Sequence, residues 1–285
     1  MNQQERRLYL IEALLQERGE NTSYTAVSLA QLSLQDQRKL LRALFNVRPP
    51  VPATQEFLAV QDAYLQEEIK ARGITSFSQI REANFGATTA YPGIYLWRGD
   101  ICTLACDAIV NAANGQLLGC FQPNHSCIDN AIHTFAGVQL RLACNDYVQS
   151  KMLNDEKLCA DVVRASRWSY EEPCGRALLT DAFNLPARYV LHTVGPVAAG
   201  QVDGEMKEQL ASCYRACMAR SEEAGLTSVA FCCISTGVFG FPQRTAARIA
   251  VSTVLDYRAQ YPCAPEVVFD VFSEEDYDIY QQILG

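Results

Sequence analysis

The chain has 285 residues, 49% of them hydrophobic and 20% charged, a globular composition that excludes a disordered chain. No uninterrupted apolar run reaches the roughly 18 residues that a membrane-spanning helix needs. The formal net charge of −8 excludes the broad basic surface on which general nucleic-acid and anionic-membrane binders depend. All 12 cysteines lie at or after Cys102. The opening MNQQERRLYL has no apolar core with a cleavage site, so it reads as no secretory signal, and a cytoplasmic location with reduced thiols is the expectation. Most of the cysteines then read as small buried apolar residues.

Charge and cysteine content divide the chain in the same place. Residues 1–90 hold ten acidic and ten basic residues and no cysteine, while residues 91–285 hold 22 acidic and 14 basic and so carry the whole net charge. The boundary is set near Tyr91-Pro92-Gly93, a turn signal. The first part reads as a helical extension. Leu8, Ile11, Leu14 and Leu15 have helical spacing, as do Leu40, Leu41, Leu44 and Phe45 after a start near Ser33 or Asp36. Arg48-Pro49-Pro50-Val51-Pro52 must break a helix. A third helix is predicted from about Thr54 to Ala71, ended by Gly73. No ligand constellation is visible here, and the amphipathic stripes read as a cap packed on the main domain.

The second part alternates strand and helix patterns. Ile94–Trp97, Ala108–Val110, Tyr189–Val194, Val229–Ile234 and Val267–Phe272 are short runs rich in β-formers, apolar enough for burial on both faces. Helices fit over about 127–149, 204–224, 243–259 and 274–283. The pattern predicts a three-layer α/β/α domain.

Four stretches carry polar chemistry. Gly99-Asp100-Ile101 places a carboxylate at a strand tip, where α/β proteins bind ligands, although a turn explains Gly-Asp equally well. The strand at Asp107–Val110 runs into Asn111 and Asn114, whose amides both donate and accept as ribose hydroxyls require; two turn asparagines are the alternative. In Gly119–Cys127 (GCFQPNHSC), Cys120, His125 and Cys127 form a C-x4-H-x-C cluster that uses one of only three histidines. Two thiolates and an imidazole suit Zn²⁺ and leave a fourth position open, as in catalytic zinc sites; in a cysteine-rich region chance is the alternative. Cys127 is expected in the first turn of the following helix, where the dipole favours its thiolate. Asp129 reads either as part of a capping box begun by Ser126 or as a carboxylate beside a metal ligand. His133, one turn on, reads as a packed core histidine or a partner of Asp129. Ser235, Thr236, Gly237, Val238 and Phe239 form a loop before Pro242 whose amides can cradle a phosphate at a helix start, or simply make a turn. The six carboxylates between Glu266 and Asp278 read as a solvated face.

In combination these stretches resemble the macrodomain family. The carriers are GDIxxLxxDAIVNAAN (Gly99–Asn114), IDNAIHTFAG (Ile128–Gly137), YVLHTVGP (Tyr189–Pro196) and ISTGVFGFP (Ile234–Pro242). GCFQPNHSC narrows the likeness to the zinc-containing branch of protein-ADP-ribose hydrolases, and the extension with ALFNVRPPVPATQEFLAVQD (Ala43–Asp62) resembles that branch too. The resemblance implies a macrodomain with a mixed central sheet over residues 91–285, preceded by the helical extension over 1–90. It implies that Asp100 hydrogen-bonds the adenine amino group with Ile101 against the ring. Asn114 would face the distal ribose, and Ser235 through Phe239 would wrap the diphosphate with Phe239 over the ribose. It further implies one Zn²⁺ per chain on Cys120, His125 and Cys127, with Asn114 and Asp129 catalytic. The expected reaction is hydrolysis of the distal-ribose glycosidic bond of a mono-ADP-ribosylated protein, releasing ADP-ribose. Members of this branch often accompany a sirtuin-like transferase that modifies a lipoyl-carrier protein, which makes such a carrier a candidate substrate. A reader that binds ADP-ribose without cleaving it is the alternative; it would need Asp100 and the diphosphate loop but no metal. A structural role, with zinc only stabilising its loop, is disfavoured by the open zinc position. Neither nucleic acid nor membrane is an expected partner.

Overall fold

The computed structural model describes residues 1–19, 26–84, 90–154 and 170–285. Helix α1 (Gln3–Glu17) begins at Asn2 with a full capping box to Glu5. Helix α2 (Ala26–Gln31) is short, and α3 (Leu34–Val47) is capped by Ser33, one of the two starts read from the sequence. Helix α4 (Gln55–Arg72) starts on the Thr54 side chain and stops at Gly73, whose φ of 87° few other residues tolerate. Between α3 and α4 the proline segment runs extended from Arg48, because prolines cannot supply the amides of a continued helix. Strand β1 (Thr75–Ser76) and helix α5 (Phe77–Asn84) complete this layer; neither was legible in the sequence.

Strand β2 (Ile94–Arg98) opens the main sheet. It is followed by the short β3 (Leu104–Ala105), which pairs in parallel with β1. The remaining strands are β4 (Ala108–Ala113), β5 (Ala177–Asp181), β6 (Tyr189–Val194), β7 (Ser228–Phe231) and β8 (Glu266–Val271). The helices of this part are α6 (Ile128–Ala136), α7 (Val138–Asn154), α8 (Gly204–Glu223), α9 (Gln243–Gln260) and α10 (Glu274–Leu284). The six-stranded sheet has the order β2-β8-β7-β4-β6-β5. All its pairings are parallel except that of β5 with β6, so the sheet is mixed, as expected.

Three departures from the sequence reading have physical causes. The single helix expected over 127–149 is two, because Gly137 turns the chain at φ 96°, where an added Cβ would lie 2.6 Å from Gln61 Nε2. Strand β7 stops at Phe231, and Cys232–Ile234 leave the sheet towards the left-handed Ser235. Strand β5 went unread because none of its residues is buried, as suits an edge. Of the cysteines read as core, Cys174 and Cys263 are exposed, while Cys159 lies outside the described residues.

One hydrophobic core runs through both parts. Leu10, Leu41 and Leu65 of the helical layer belong to the same buried cluster as Ile109, Leu191 and Phe269 of the sheet. Helices α3 and α4 lie against α6. The parallel strands put their C-terminal ends on one edge of the sheet. From β4 the chain crosses to β6 on one side, then returns from β6 to β7 on the other. The loops after β4 and β7 therefore diverge and open a crevice, the usual ligand position in such sheets. Among the described residues no helix is long and apolar enough to cross a membrane.

Because the core is shared, Leu41→Ala should cost about 2–5 kcal/mol and shift one common transition in urea followed by far-ultraviolet dichroism and tryptophan fluorescence. Helices melting in a separate earlier step would contradict a shared core.

Candidate active site

The tip of β2 forms one end of the crevice. Asp100 caps the short 3₁₀ turn Ile101–Thr103, with its Oδ1 accepting from the Cys102 amide at 3.0 Å. Its Oδ2 accepts from Arg72 Nη1 of α4 at 2.9 Å, and the same guanidinium stacks 3.7 Å above the Phe135 ring. Ile101 is buried beneath this turn. Phe272 stands beside it, one residue past β8, with 85% of its surface exposed. The sequence had read Phe272 as the last strand residue. Its burial signal failed because the strand ends at Val271, where Val271 O accepts from the Gly99 amide instead.

The loop after β7 forms the floor. Ser235 is left-handed at φ 66° and buried, and its carbonyl accepts from the Phe241 amide at 2.9 Å. Gly240 closes a turn onto Gly237 O at 3.0 Å. The amides of Ser235, Gly237, Val238 and Phe239 donate to no acceptor among the described residues. Thr236 is tied back to Cys233 O through its hydroxyl. Consecutive free N–H groups in a turn of this kind make an anion-binding concavity. Val238 at its rim is 75% exposed.

At the end of β4 the two asparagines do different work. Asn111 is buried, and its Nδ2 donates to Asp129 Oδ1 at 2.8 Å and lies 3.1 Å from His192 Nδ1. Asn114 is half-buried; its Nδ2 donates to Gly119 O at 3.1 Å and approaches Asp129 Oδ2 at 3.4 Å. Asp129 is buried in the first turn of α6, and burial pushes its carboxyl up to about 6 against the pull of Asn111 and Arg141. The capping box read from Ser126 does not form. Cys127 itself is the N-cap rather than a first-turn residue, its Sγ accepting from the Asn130 amide at 3.4 Å.

Behind Asp129 lies a second group, His133, Cys144 and His192, with ligand atoms within 4.8 Å of one another. Burial holds both imidazoles neutral, pushing His192 down to about 3 and His133 well below its ordinary range, and it raises the Cys144 thiol. His133 is packed in the core and its Nε2 also lies 3.5 Å from Asp129 Oδ1, so the structure holds both of the roles read for it. Gly119 turns at φ 78° directly against its ring, where a Cβ would be 2.8 Å away.

The Cys120–His125–Cys127 cluster is assembled as the spacing suggested. Its three ligand atoms lie within 4.8 Å of one another, and Cys120 Sγ is 3.6 Å from His125 Nδ1. Tetrahedral zinc, with Zn–S of about 2.3 Å and Zn–N of about 2.0–2.1 Å, requires an S···N separation of about 3.6 Å. Burial and the neighbouring thiol push Cys127 up to about 12. Two sulfurs and one imidazole nitrogen at this spacing are a donor set that suits zinc.

The sequence missed the residues that hold this loop. Arg42 of α3 donates from Nε and Nη2 to Asn130 Oδ1 at 3.0 and 2.8 Å, and from Nη2 to His125 O at 3.0 Å. Asn46 Oδ1 accepts from the Asn124 amide at 2.9 Å. Arg141 Nε donates to Leu118 O at 2.7 Å, and its guanidinium covers the Phe121 ring at 4.2 Å. No local motif marks these residues, because the partners of Arg42 and Asn46 are 78–88 positions away and Leu118, the loop partner of Arg141, is 23 away.

A family model described as Macro domain matches residues 110–250. The chain is 46% identical over all 285 residues, and over the full length of the relative, to a protein-ADP-ribose hydrolase of Treponema medium. It is 41% identical to a protein-ADP-ribose hydrolase of Staphylococcus aureus, over 97% of this chain and 94% of that protein. Among solved structures it resembles the Trypanosoma brucei macrodomain in complex with ADP-ribose, with a TM-score of 0.60 and 27% identity over 90% of this chain and 98% of that one. It also resembles the Oceanobacillus iheyensis macrodomain with ADP, at a TM-score of 0.54 and 36% identity over 67% of this chain and 89% of that one.

With only three histidines in the chain, imidazole proton signals resolve the buried pair directly. Those of His133 and His192 should stay in their neutral positions from pH 8 to pH 5, and a midpoint near 6.5 for either would contradict the buried layer.

Proposed function

The chain belongs to the macrodomain family of protein-ADP-ribose hydrolases, and from that premise we propose that it is a zinc-dependent enzyme acting on mono-ADP-ribosylated protein. The observation that carries the proposal is one loop. Asn114 ties to Gly119 at its start, the cluster of Cys120, His125 and Cys127 fills its end, and Asp129 follows within the first turn of α6. Groups able to bind a ribose and a metal are thereby brought to one end of the crevice.

In this reading ADP-ribose lies along the strand tips. Adenine is recognised by Asp100, with Ile101 beneath and the exposed Phe272 ring as a stacking face. Within the loop Ser235–Phe239 the amides of Ser235, Gly237, Val238 and Phe239 take the diphosphate, so an acidic protein binds an anion through local backbone donors rather than through net charge. Phe239 covers the ribose, and Asn114 meets the distal ribose. A zinc ion held by Cys120, His125 and Cys127, with its fourth position open, would supply Lewis acidity and lower the pKa of a bound water. Asp129, drawn up in pKa yet ionised at neutral pH, fixes Asn111 directly and faces Asn114, so ribose and water meet a preset pair of polar groups. Water then adds its oxygen to the anomeric carbon, the glycosidic bond to the modified side chain breaks, and the departing side chain takes a proton. Free ADP-ribose is the product. Thiolate ligands require reducing surroundings, which supports a cytoplasmic setting. A lipoyl-carrier protein modified by a sirtuin-like transferase is the substrate we would test first.

Two substitutions separate chemistry from binding. Cys120→Ala should take metal content, measured by mass spectrometry, from about one zinc per chain to near zero. Its release of ADP-ribose from a mono-ADP-ribosylated protein should fall on the order of 100-fold or more. Turnover at the wild-type rate would sink the metal reading. Phe272→Ala should keep its zinc and weaken ADP-ribose binding by about tenfold in calorimetry, the worth of one stacked base; unchanged affinity would remove Phe272 from the nucleobase site.

A further inference from the structure

We propose that Arg42 is a positioning residue for the metal site, so that the helical layer and the sheet domain build that site together. The inference rests on the zinc reading above. The loop from Asn114 to Cys127 makes few backbone bonds of its own: Leu117 N to Asn114 O and His125 N to Gln122 O close its two turns. Three ligands on such a loop stay within 4.8 Å of one another only if side chains from elsewhere fix its backbone.

Arg42 does this from α3. One edge of its guanidinium takes Asn130 Oδ1 with two N–H groups, and Nη2 also takes the carbonyl of the ligand residue His125. Asn130 is buried and passes the constraint on. Its Nδ2 donates to Gln122 O at 3.0 Å, and its amide donates to the Sγ of the ligand residue Cys127 at 3.4 Å. Arg42 therefore holds one ligand residue directly and another through a single side chain. Asn46, one turn along α3, fixes the Asn124 amide just before His125 and donates to Thr134 Oγ1 at 3.0 Å on α6. The planar fork matters: lysine has the charge and reach but cannot serve both acceptors in one fixed geometry. Groups that orient metal ligands are worth about 10–100-fold in metal affinity.

The test uses the full chain with Arg42→Ala and Arg42→Lys. The control is Arg38→Ala on the same helix, where the half-exposed Arg38 pairs with Glu68 of α4. Zinc affinity is measured by competition with a chromophoric chelator, and ligand geometry by the visible bands of the Co²⁺-loaded protein. Arg42→Ala should bind zinc about 10–100-fold more weakly, with shifted cobalt bands, Arg42→Lys should fall between, and Arg38→Ala should match wild type. If Arg42→Ala is too unstable to isolate, Arg42→Lys, which keeps the charge and the aliphatic stem, decides alone. Zinc affinity within about twofold of wild type with unchanged cobalt bands would overturn the role of Arg42. A wild-type chain that takes up no zinc would overturn the zinc reading itself, and this inference with it.

Discussion

The ligand loop cannot hold its own shape, and the rest of the site depends on the buried side chains that hold it. Between the end of β4 and the start of α6 the chain has no regular structure, so its carbonyls and amides must find partners elsewhere or leave buried polar groups unsatisfied. Arg141 supplies the deepest of these ties. Its guanidinium donates to Leu118 O in the loop and to Phe45 O and Arg48 O at the end of α3. Burial pulls its pKa down only to about 10, so it remains a cation at neutral pH. One charge thus joins the proline-stopped end of α3 to the loop, and Arg48 continues the chain of contacts to Glu17 of α1.

This arrangement explains why the helical layer is more than a cap. At the loop it supplies Arg42 and Asn46, and at the opposite end of the crevice it supplies Arg72, paired with Asp100. Both ends of the crevice are therefore set by helices that also share the hydrophobic core of the sheet. The loop between them takes no side chain from the helical layer: the left-handed Ser235 and the turn at Gly240 shape it, and the amides of Ala198, Ala199 and Gly200 tie the carbonyls of Phe239 and Gly240 to the segment after β6. In the proposed reading an acidic protein accepts a diphosphate there because the donors are amides, which carry no net charge.

Much of this was legible in the sequence where one local rule governs. The helix starts near Ser33 and Thr54, the stop at Gly73 and the strand Tyr189–Val194 follow from helical spacing, turn residues and apolar runs, and the structure places them there. The Cys120–His125–Cys127 spacing is likewise local, so the cluster was visible before any coordinates. What failed was decided by partners distant in sequence. The break at Gly137 depends on Gln61, and the outward turn of Phe272 depends on where β8 stops. Asp270, read as part of a solvated acidic face, is buried at the strand tip with its carboxyl held well up by burial and by Asp100. Arg42, Asn46 and Arg72 look like ordinary surface residues of amphipathic helices until the fold brings their partners to them.

The central claim is that a metal bound by this loop sits where the distal ribose ends. Anomalous X-ray scattering on either side of the zinc absorption edge, from crystals of the chain with ADP-ribose, tests it directly. The account predicts one zinc peak per chain, bonded by Cys120 Sγ, His125 Nδ1 and Cys127 Sγ, with the distal ribose between it and Asn114 and the diphosphate on the amides of Ser235, Gly237, Val238 and Phe239. A zinc peak elsewhere, no peak at all, or ADP-ribose bound with its distal ribose away from this loop would contradict it.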